Sequence, residues 1–205
     1  MTATVALPGL RGPGRPRSEK ARQAVIRSTL TLLKRVGFNE LSIESVAAHA
    51  GVGKATIYRW WPSKAALVID AFASAVDEEL RFPSAKSVLE SLRQQMRRWV
   101  VIFRSPLGRI VATVIGAGQS DPAILDAFRA HWVEPRREKA RTLLRQAMKN
   151  GGIRDDVDPD MVLDLLYGPL YLRLLLQHAP LDEQFVDTVF AVISPALAVA
   201  HRNHR

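Results

Sequence analysis

A short stretch in the first third of the sequence combines side chains that suit DNA bases with side chains that suit phosphate. If Lys54–Trp61 is helical, a turn of about 100° per residue places Ala55 and Arg59 opposite Ile57. The Arg59 guanidinium can bond both O6 and N7 of guanine. Thr56 can bond a base edge or contact a thymine methyl, and Ala55 can make only the methyl contact. This pattern favours base recognition in the major groove.

Other side chains around this helix suit the DNA backbone. Lys54, Tyr58 and Lys64 can bond phosphates, which position a protein on the duplex without reading its sequence. Trp60 has two readings, the hydrophobic core and the sugar–phosphate edge, and the sequence leaves both open. The predicted DNA-contacting set comprises Arg15, Arg17, Ser42, Lys54, Ala55, Thr56, Tyr58, Arg59, Trp60 and Lys64.

Two helical patterns joined by a glycine must position these side chains. Ser42 is a good N-cap for the first pattern, and Ala47 is small enough to let the two helices cross closely. Gly51 tolerates the positive φ that the turn needs, and Ile57 and Trp61 lie one turn apart on the core side of the second helix. This layout predicts a helix-turn-helix. The alternative is an ordinary helical hairpin with one polar face.

The distribution of charge points to a polyanionic partner. Of the formal net charge of +9, nearly all lies in residues 1–64, which hold 11 Lys and Arg against 3 Asp and Glu. Residues 65–205 hold 18 basic and 17 acidic side chains. A generally basic protein would spread its charge evenly, so the asymmetry indicates a polyanion-binding module at the N-terminal end of a near-neutral body.

Residues 1–17 are rich in Gly, Pro and Arg and lack periodic apolar spacing, so we predict a disordered basic arm. Its Gly14-Arg15-Pro16-Arg17 resembles the core of an AT-hook, whose arginines lie in a narrow minor groove. The alternative is a solvated tail that adds only non-specific attraction to phosphates. The shortness of the match favours this alternative.

A family resemblance rests on the same stretch. The run GVGKATIYRWWPSK at residues 51–64, with LSIESVA at 41–47 before it, resembles the signature of the tetracycline-repressor (TetR) family. The resemblance covers about residues 19–70. It departs at Trp60-Trp61, where His or Tyr followed by Phe is commoner, so no base preference is carried over to Trp60. It implies an all-helical homodimer whose C-terminal domain binds a small ligand and releases DNA.

The rest of the chain reads as helices. We predict an all-α fold of about nine helices, with a three-helix DNA-binding domain at 18–64 and a helical ligand-binding and dimerisation domain at 65–205. The predicted helices span 18–36, about 42–50, 54–61, 63 to about 80, 84–104, 106 to about 116, about 121–150 with a kink at Pro135, about 158–178, and a last helix capped by Asp182. Ser18, Ser63 and Asp121 are predicted N-caps, and Asp158-Pro159 is predicted to open its helix in the same way as Asp121-Pro122.

The helix at 158–178 is apolar nearly all round, which requires more partners than one small domain readily supplies. In the TetR family the last two helices pair with their copies in a four-helix dimer interface, so the resemblance implies a homodimer. The alternative is a purely intramolecular core.

Large side chains in the predicted C-terminal domain are candidates for an effector pocket, because ligand pockets are mostly apolar with a few placed polar groups. The candidates are Met96, Trp99, Phe103, Phe128, Trp132, Tyr167 and Tyr171. Aromatic residues at helical spacing are more often plain core, and that alternative applies to each. Few polar side chains are among these candidates, which favours an uncharged or aromatic ligand. Arg129 could pair with an anionic one.

The sequence gives little indication that the protein is an enzyme. The sequence has no cysteine, its five histidines lack metal-ligand spacing, and it shows no Gly-rich phosphate loop or G-x-S-x-G elbow. We therefore expect no catalytic residues, metal or cofactor. No apolar run reaches the ~18 residues of a membrane span, so no membrane partner and a cytoplasmic, nucleoid-associated location are expected.

The expected function is a dimeric transcriptional regulator, most simply a repressor that binds a palindromic operator in double-stranded DNA and is released by a small-molecule effector. An architectural DNA-binding protein without a ligand is the alternative, and a solid C-terminal core would favour it. The sequence leaves activation open and names neither effector nor operator.

Overall fold

The computed structural model describes residues 18–199, and every regular element among them is a helix. In chain order these are α1 Glu19–Glu40, α2 Ile43–Ala50, α3 Lys54–Tyr58, α4 Lys64–Val76, α5 Val88–Arg104, α6 Pro106–Gly118, α7 Pro122–Phe128, a π-helical turn Arg129–Val133, α8 Glu134–Lys149, α9 Pro159–Leu176 and α10 Glu183–Leu197. Counting α7, the π-helical turn and α8 as one interrupted helix gives nine helices within 18–199. The all-helical prediction is confirmed, whereas the predicted arm with Arg15 and Arg17 lies outside the described residues.

Side-chain caps begin the helices where the sequence predicted them. The Ser42 hydroxyl accepts from the Ser45 backbone N–H at 3.1 Å, and the Ser45 hydroxyl accepts from the Ser42 N–H at 3.3 Å. Each such cap satisfies an amide that the helix leaves without a partner and contributes about 1 kcal/mol. The other predicted caps that accept from a first-turn amide are Ser18, Ser63, Asp121, Asp158 and Asp182.

Several predicted helix ends are wrong by a few residues. α4 stops at Val76 instead of Leu80, and α5 begins after Ser87, whose hydroxyl caps it, instead of at Ser84. α1, by contrast, consists of two helical segments that meet at Gly37, whose φ of 77° and ψ of 179° break the helix where the sequence predicts its end. Apolar periodicity marks which residues face the core but does not determine the last turn of a helix, so these errors are local.

α3 is shorter than predicted. It ends at Tyr58, and the chain then tightens, with the Trp60 N–H donating to the Ile57 carbonyl at 2.9 Å. Trp61 still faces the core, because its own N–H also reaches the Ile57 carbonyl, at 3.0 Å. The predicted inward pair of Ile57 and Trp61 is therefore confirmed even though the helix itself is shorter.

The long helix predicted for 121–150 is interrupted by a π-helical turn that ends just before Pro135. Within the turn the Glu134 N–H donates to the Arg129 carbonyl, five residues back. Proline has no N–H, and its ring collides with the carbonyl four residues earlier in a regular helix. The wider turn is one way to accommodate Pro135, and it inserts one extra residue into the helix.

α4 connects the N-terminal helices with the helices of the C-terminal part. It lies along α1 and also contacts α6, α7 and the π-helical turn. The ring of Phe72 in α4 lies 4.6 Å from the ring of Trp132, centroid to centroid. α5 packs on α6 and α10, and α8 packs on α9. The buried side chains form one continuous cluster from α1 to α10.

Within 18–199, no single helix is both long and apolar enough to cross a membrane, although α5 and α6 meet that criterion as a pair bent by 86°.

The tight α5–α6 junction generates a stability prediction. A Cβ built on Gly108 would lie 2.0 Å from the Phe103 carbonyl oxygen, whereas a Cβ on Gly116 in the same helix meets no heavy atom within 4 Å. We expect Gly108→Ala to lower the free energy of unfolding by ~1–3 kcal/mol, because the backbone must move apart. Gly116→Ala, the matched control, should raise it by up to ~1 kcal/mol. Urea denaturation measures both, and equal effects would contradict the close approach.

Candidate nucleic-acid interface and ligand cavity

The α2–turn–α3 unit has the geometry of the predicted helix-turn-helix. Gly51 adopts φ 66°, a left-handed conformation that caps α2, and the following Val52 N–H donates to the Ala47 carbonyl at 3.0 Å. Val46, Ala47 and Ile57 are buried between the helices. The turn angle is therefore fixed by one glycine and by a small apolar contact that brings α3 onto α2.

The outward face of α3 carries the predicted base-reading side chains. Ala55, Tyr58 and Arg59 are exposed and Thr56 is half-buried. The Arg59 guanidinium donates to the Thr56 hydroxyl at 3.3 Å, which keeps the two side chains on one face. Both can exchange that weak bond for a base edge, so the arrangement permits the predicted readout. Their contact with DNA stays a prediction.

The two lysines predicted to bind phosphate already have partners. The Lys54 ammonium donates to Glu44 at 2.9 Å, and this pair raises the pKa of Lys54 and lowers that of Glu44. The Lys64 ammonium donates to the carbonyls of Phe38 at 3.0 Å and Asn39 at 3.3 Å, near the end of α1. Lys54 is exposed and can change partner, whereas Lys64 holds α1 to the start of α4. The predicted phosphate role therefore has more support for Lys54.

Trp60 is half-buried at the edge of the core. Its ring centroid lies 6.2 Å from that of Trp61, and the Arg22 guanidinium lies 5.6 Å from the Trp60 ring. Ser42, also predicted to contact DNA, uses its hydroxyl to cap α2. The Trp60 ring thus lies between α1 and the outer surface of the unit. This position is partly in the core and partly at the surface, the two locations that the sequence left open.

Asp70 of α4 connects the unit to the rest of the molecule. Its carboxylate accepts from the Trp61 indole N–H at 2.8 Å and from the Arg22 guanidinium at 2.6 Å. Sequence reasoning missed this residue. The available signal was a single acidic side chain inside the otherwise apolar run Ala65–Ala73. A charge in such a run needs a partner, because burying it alone is costly.

A cavity lies between α5, α8, α9 and the π-helical turn. The cavity itself has a volume of about 70 Å³, and the atom-free space amounts to about 460 Å³ when the open region at its mouth is included. Its walls are predominantly apolar and aromatic, as is usual for ligand sites. The lining residues are Phe82, Gln95, Trp99, Trp132, Val133, Arg136, Arg137, Ala140, Leu163, Tyr167 and Tyr171.

Four of the seven predicted ligand residues line this cavity, namely Trp99, Trp132, Tyr167 and Tyr171.

The other three lie elsewhere, in the packed core. Met96 is fully buried, Phe103 stacks between Trp99 and Tyr171, and Phe128 packs beside α4 and α6. Helical spacing identified all seven as inward residues but could not separate those facing a cavity from those facing other side chains.

Polar groups at the cavity wall satisfy one another. The Tyr167 hydroxyl donates to the buried Gln95 side-chain oxygen at 2.6 Å, and the Gln95 amide donates to the Leu80 carbonyl at 3.2 Å. Burial raises the pKa of Tyr167 and of Tyr171 above that of a free phenol, so both hydroxyls stay protonated at neutral pH. Gln95 was not predicted, since a single polar residue on an amphipathic helix gives no sequence signal of its partner.

Arg136 is the cation that faces the cavity with the fewest partners. Its guanidinium stacks on Trp132, 3.4 Å from the ring centroid, and donates to Asp77 at 3.4 Å. Burial lowers its pKa to about 10, so it remains charged at neutral pH. Arg129, the candidate from the sequence, instead pairs with Asp126 on the surface.

Within 18–199, no group of three or more His, Asp or Glu side chains is arranged to hold a metal ion.

Comparison with known proteins matches both halves of the chain. Residues 25–71 match the family model described as bacterial regulatory proteins, tetR family. Residues 82–193 match the model for a tetracyclin repressor-like C-terminal domain.

Individual relatives match over most of their length. The HTH-type transcriptional regulator YdeS of Bacillus subtilis is 32% identical over 84% of this chain and 87% of its own. A protein of Mycobacteroides abscessus named DNA-binding transcriptional repressor TetR is 31% identical over 87% of this chain and 97% of its own. The solved structure of TetR family transcription regulator SCO0332 is 36% identical, with a TM-score of 0.78 over 88% of this chain and 100% of that one.

The bonds of Asp70 generate a prediction on stability. We expect Asp70→Ala to lower the free energy of unfolding by ~1–3 kcal/mol, because the Trp61 indole N–H and the Arg22 guanidinium lose a shared acceptor. Asp126→Ala, which removes a carboxylate from an exposed pair with Arg129, is the matched control and should change it by less than ~0.5 kcal/mol. Thermal and urea unfolding followed by circular dichroism measure both. Indistinguishable variants would show that Asp70 does not anchor α3.

Proposed function

The chain belongs to the tetR family of bacterial regulatory proteins, and from that membership we propose a ligand-responsive repressor that binds a palindromic operator as a homodimer. Regulation of transcription through a helix-turn-helix is common to its relatives. Repression is supported by the 31% identical relative from Mycobacteroides abscessus, which is named a DNA-binding transcriptional repressor.

The observation that carries the DNA-binding proposal is the outward face of α3. Arg59 and Thr56 lie together on a helix whose opposite side, Ile57, is fully buried against α2. Arg59 would read guanine, Thr56 and Ala55 would contact base edges or methyl groups, and Lys54 and Tyr58 would bind phosphates. Glu44 would release Lys54 on DNA, because phosphate competes for the same ammonium.

Exposed apolar side chains on α9 and α10 support the homodimer. Leu172 is 51% exposed, Leu176 is 64% exposed, and Val192 on α10 is 73% exposed. Met161 and Leu165 lie four residues apart and extend the α9 stripe toward the start of the helix, with Leu165 seven residues before Leu172. Burial of such a stripe favours association because it removes apolar surface from water, and a twofold axis lets one stripe cover its copy.

The cavity favours a small-molecule effector over the architectural alternative. A solid core between α5, α8 and α9 would have supported a DNA-binding protein without a ligand, whereas a cavity of about 70 Å³ with an open mouth lies there behind aromatic walls. The proposed effector site is this cavity, with Trp99, Trp132, Tyr167 and Tyr171 as its predicted contacts.

α4 is the proposed connection between effector and operator. Phe72 packs on Trp132 at the cavity, and Asp70 bonds Trp61 at the end of the α3 unit. A shift of α4 therefore changes the spacing of two recognition helices, which must match successive major grooves about 34 Å apart. A coupling free energy of ~1–3 kcal/mol would weaken DNA binding ~5–150-fold.

The proposed role includes no catalysis, as in the regulators that the chain resembles. A cytoplasmic, nucleoid-associated location is part of the same proposal, since the operator is genomic DNA. In domain terms, 18–64 would bind DNA and 65–205 would bind the effector and the second protomer.

Substitution of Arg59 tests base reading. We expect Arg59→Ala to weaken binding to the operator, obtained by selection from random DNA, by ~1–3 kcal/mol and to leave binding to random duplex nearly unchanged. Arg145→Ala on α8 removes the same charge from a surface that packs on neither α2 nor α3, and should affect neither duplex. Fluorescence anisotropy of labelled duplexes measures both. Equal losses on operator and random DNA would contradict the base contact.

Substitution of Leu172 tests the dimer. Sedimentation velocity at micromolar concentration should show a dimer for the wild type and a monomer for Leu172→Glu, because a buried carboxylate at the twofold axis would face its own copy. Val101→Glu on α5 also places a charge at an exposed apolar position and should remain dimeric. A monomeric wild type, or a dimeric Leu172→Glu, would overturn the proposed interface.

A further inference from the structure

We propose that the effector is a planar aromatic carboxylate whose carboxylate group binds the Arg136 guanidinium and displaces Asp77 from it. This inference rests on the proposed function only in taking the α5–α8–α9 cavity as the effector site. It adds the chemical class of the ligand, the residue that selects it and the contact that reports its arrival to α4.

Arg136 is built to receive an anion from the cavity side. Its side chain is only 17% exposed, and its flat face is covered by the Trp132 ring at 3.4 Å. Among the described residues its one hydrogen-bond acceptor is Asp77, at the long distance of 3.4 Å. A guanidinium has five N–H donors in a planar fork that fits a carboxylate with two parallel bonds. The single long bond to Asp77 uses little of that capacity.

The neighbouring residue, Arg137, differs from Arg136 in its ion pairs. Arg137 also lines the cavity, yet it donates to Asp164 at 2.5 Å and to the Asp160 carboxylate at 2.8 Å. Its charge is therefore used in joining α8 to α9. Of the two cations at the cavity wall, Arg136 is the one whose charge is both desolvated and weakly paired, as the lowering of its pKa to about 10 by burial reflects.

The remaining walls select for a flat, apolar body. The Trp99 and Trp132 rings meet at 90° with centroids 5.3 Å apart, and Tyr171 contacts the same cluster through Phe103. The polar atoms of Gln95 and Tyr167 are bonded to each other, so they place little demand on a ligand. One charge on an aromatic body matches this lining, whereas a phosphate or a polyol would leave its other polar groups facing rings.

Displacement of Asp77 links ligand binding to α4. Asp77 directly follows Val76, the last residue of α4. Its side chain is 58% exposed, so it can turn to solvent once a ligand carboxylate binds the Arg136 guanidinium. The same ligand would press on Trp132, which supports Phe72 in the middle of α4. Both contacts act on the helix that holds Trp61 through Asp70.

Calorimetric titration of the DNA-free protein tests the proposal with two probes that differ only in charge, 2-naphthoate and its amide 2-naphthamide. We expect saturable binding of 2-naphthoate with a Kd below about 1 mM, and binding of the amide at least ~10-fold weaker. Arg136→Gln should lose at least ~10-fold in naphthoate affinity and little in amide affinity. Arg129→Gln, which removes the same charge from an exposed surface pair, should bind both probes like the wild type.

Asp77→Asn supplies an opposite prediction. Removal of the competing carboxylate should tighten 2-naphthoate about twofold to fivefold and leave 2-naphthamide unchanged. A merely structural role of Arg136 would not produce this gain. If Arg136→Gln does not fold, two other measurements test the proposal: the preference of the wild type for the acid over the amide, and the increase of that preference in Asp77→Asn. We expect Asp77→Asn to fold, because Asp77 lies at the surface.

Three results would overturn the proposal: no binding of 2-naphthoate up to about 1 mM, equal affinity for acid and amide, or unchanged naphthoate affinity in both variants. Anisotropy of labelled operator, measured in parallel, separates this failure from that of the proposed function. Arg136-dependent binding without DNA release would uphold the ligand class and contradict ligand-responsive repression. Release of operator DNA by a neutral compound, independent of Arg136, would uphold ligand-responsive repression and contradict the ligand class.

Discussion

The bond from the Trp61 indole to the Asp70 carboxylate is the constraint on which the DNA-reading surface depends. α3 has five residues, too few to persist as a helix without tertiary support. It is held by Ile57 against α2 and by this bond to α4, which Arg22 of α1 shares through the same carboxylate. Every side chain proposed to touch a base takes its direction from those contacts.

The features that the sequence predicted well are local ones. The caps at Ser42, Ser63 and Asp182 and the left-handed Gly51 depend on residues within three positions, so their residue types suffice to place them. The inward pair Ile57 and Trp61 follows from the helical period alone. The helix ends were predicted less well, because the last turns depend on which neighbours remain to be covered.

The features that the sequence could not supply join distant parts of the chain. Asp70 meets Arg22 across 48 positions, and Arg136 meets Asp77 across 59. No local pattern records which partner a charged side chain will find. Lys64 illustrates the same limit: at a helix N-terminus beside the recognition helix it reads as a phosphate ligand, yet it donates to the carbonyls of Phe38 and Asn39. Four of the seven predicted ligand residues line the cavity, because aromatic side chains concentrate in the interior, where both core and cavity lie.

The π-helical turn at Arg129–Val133 determines the phase of the helix that follows it. One additional residue in a helix rotates all later side chains by about 100° relative to those before. With a regular α-helical turn in its place, the face of α8 that carries Arg136 would be turned by the same angle relative to α7. A single-residue deletion within this turn would therefore change which side chains of α8 face the cavity without any substitution in the cavity itself. The DNA-reading unit would keep its sequence.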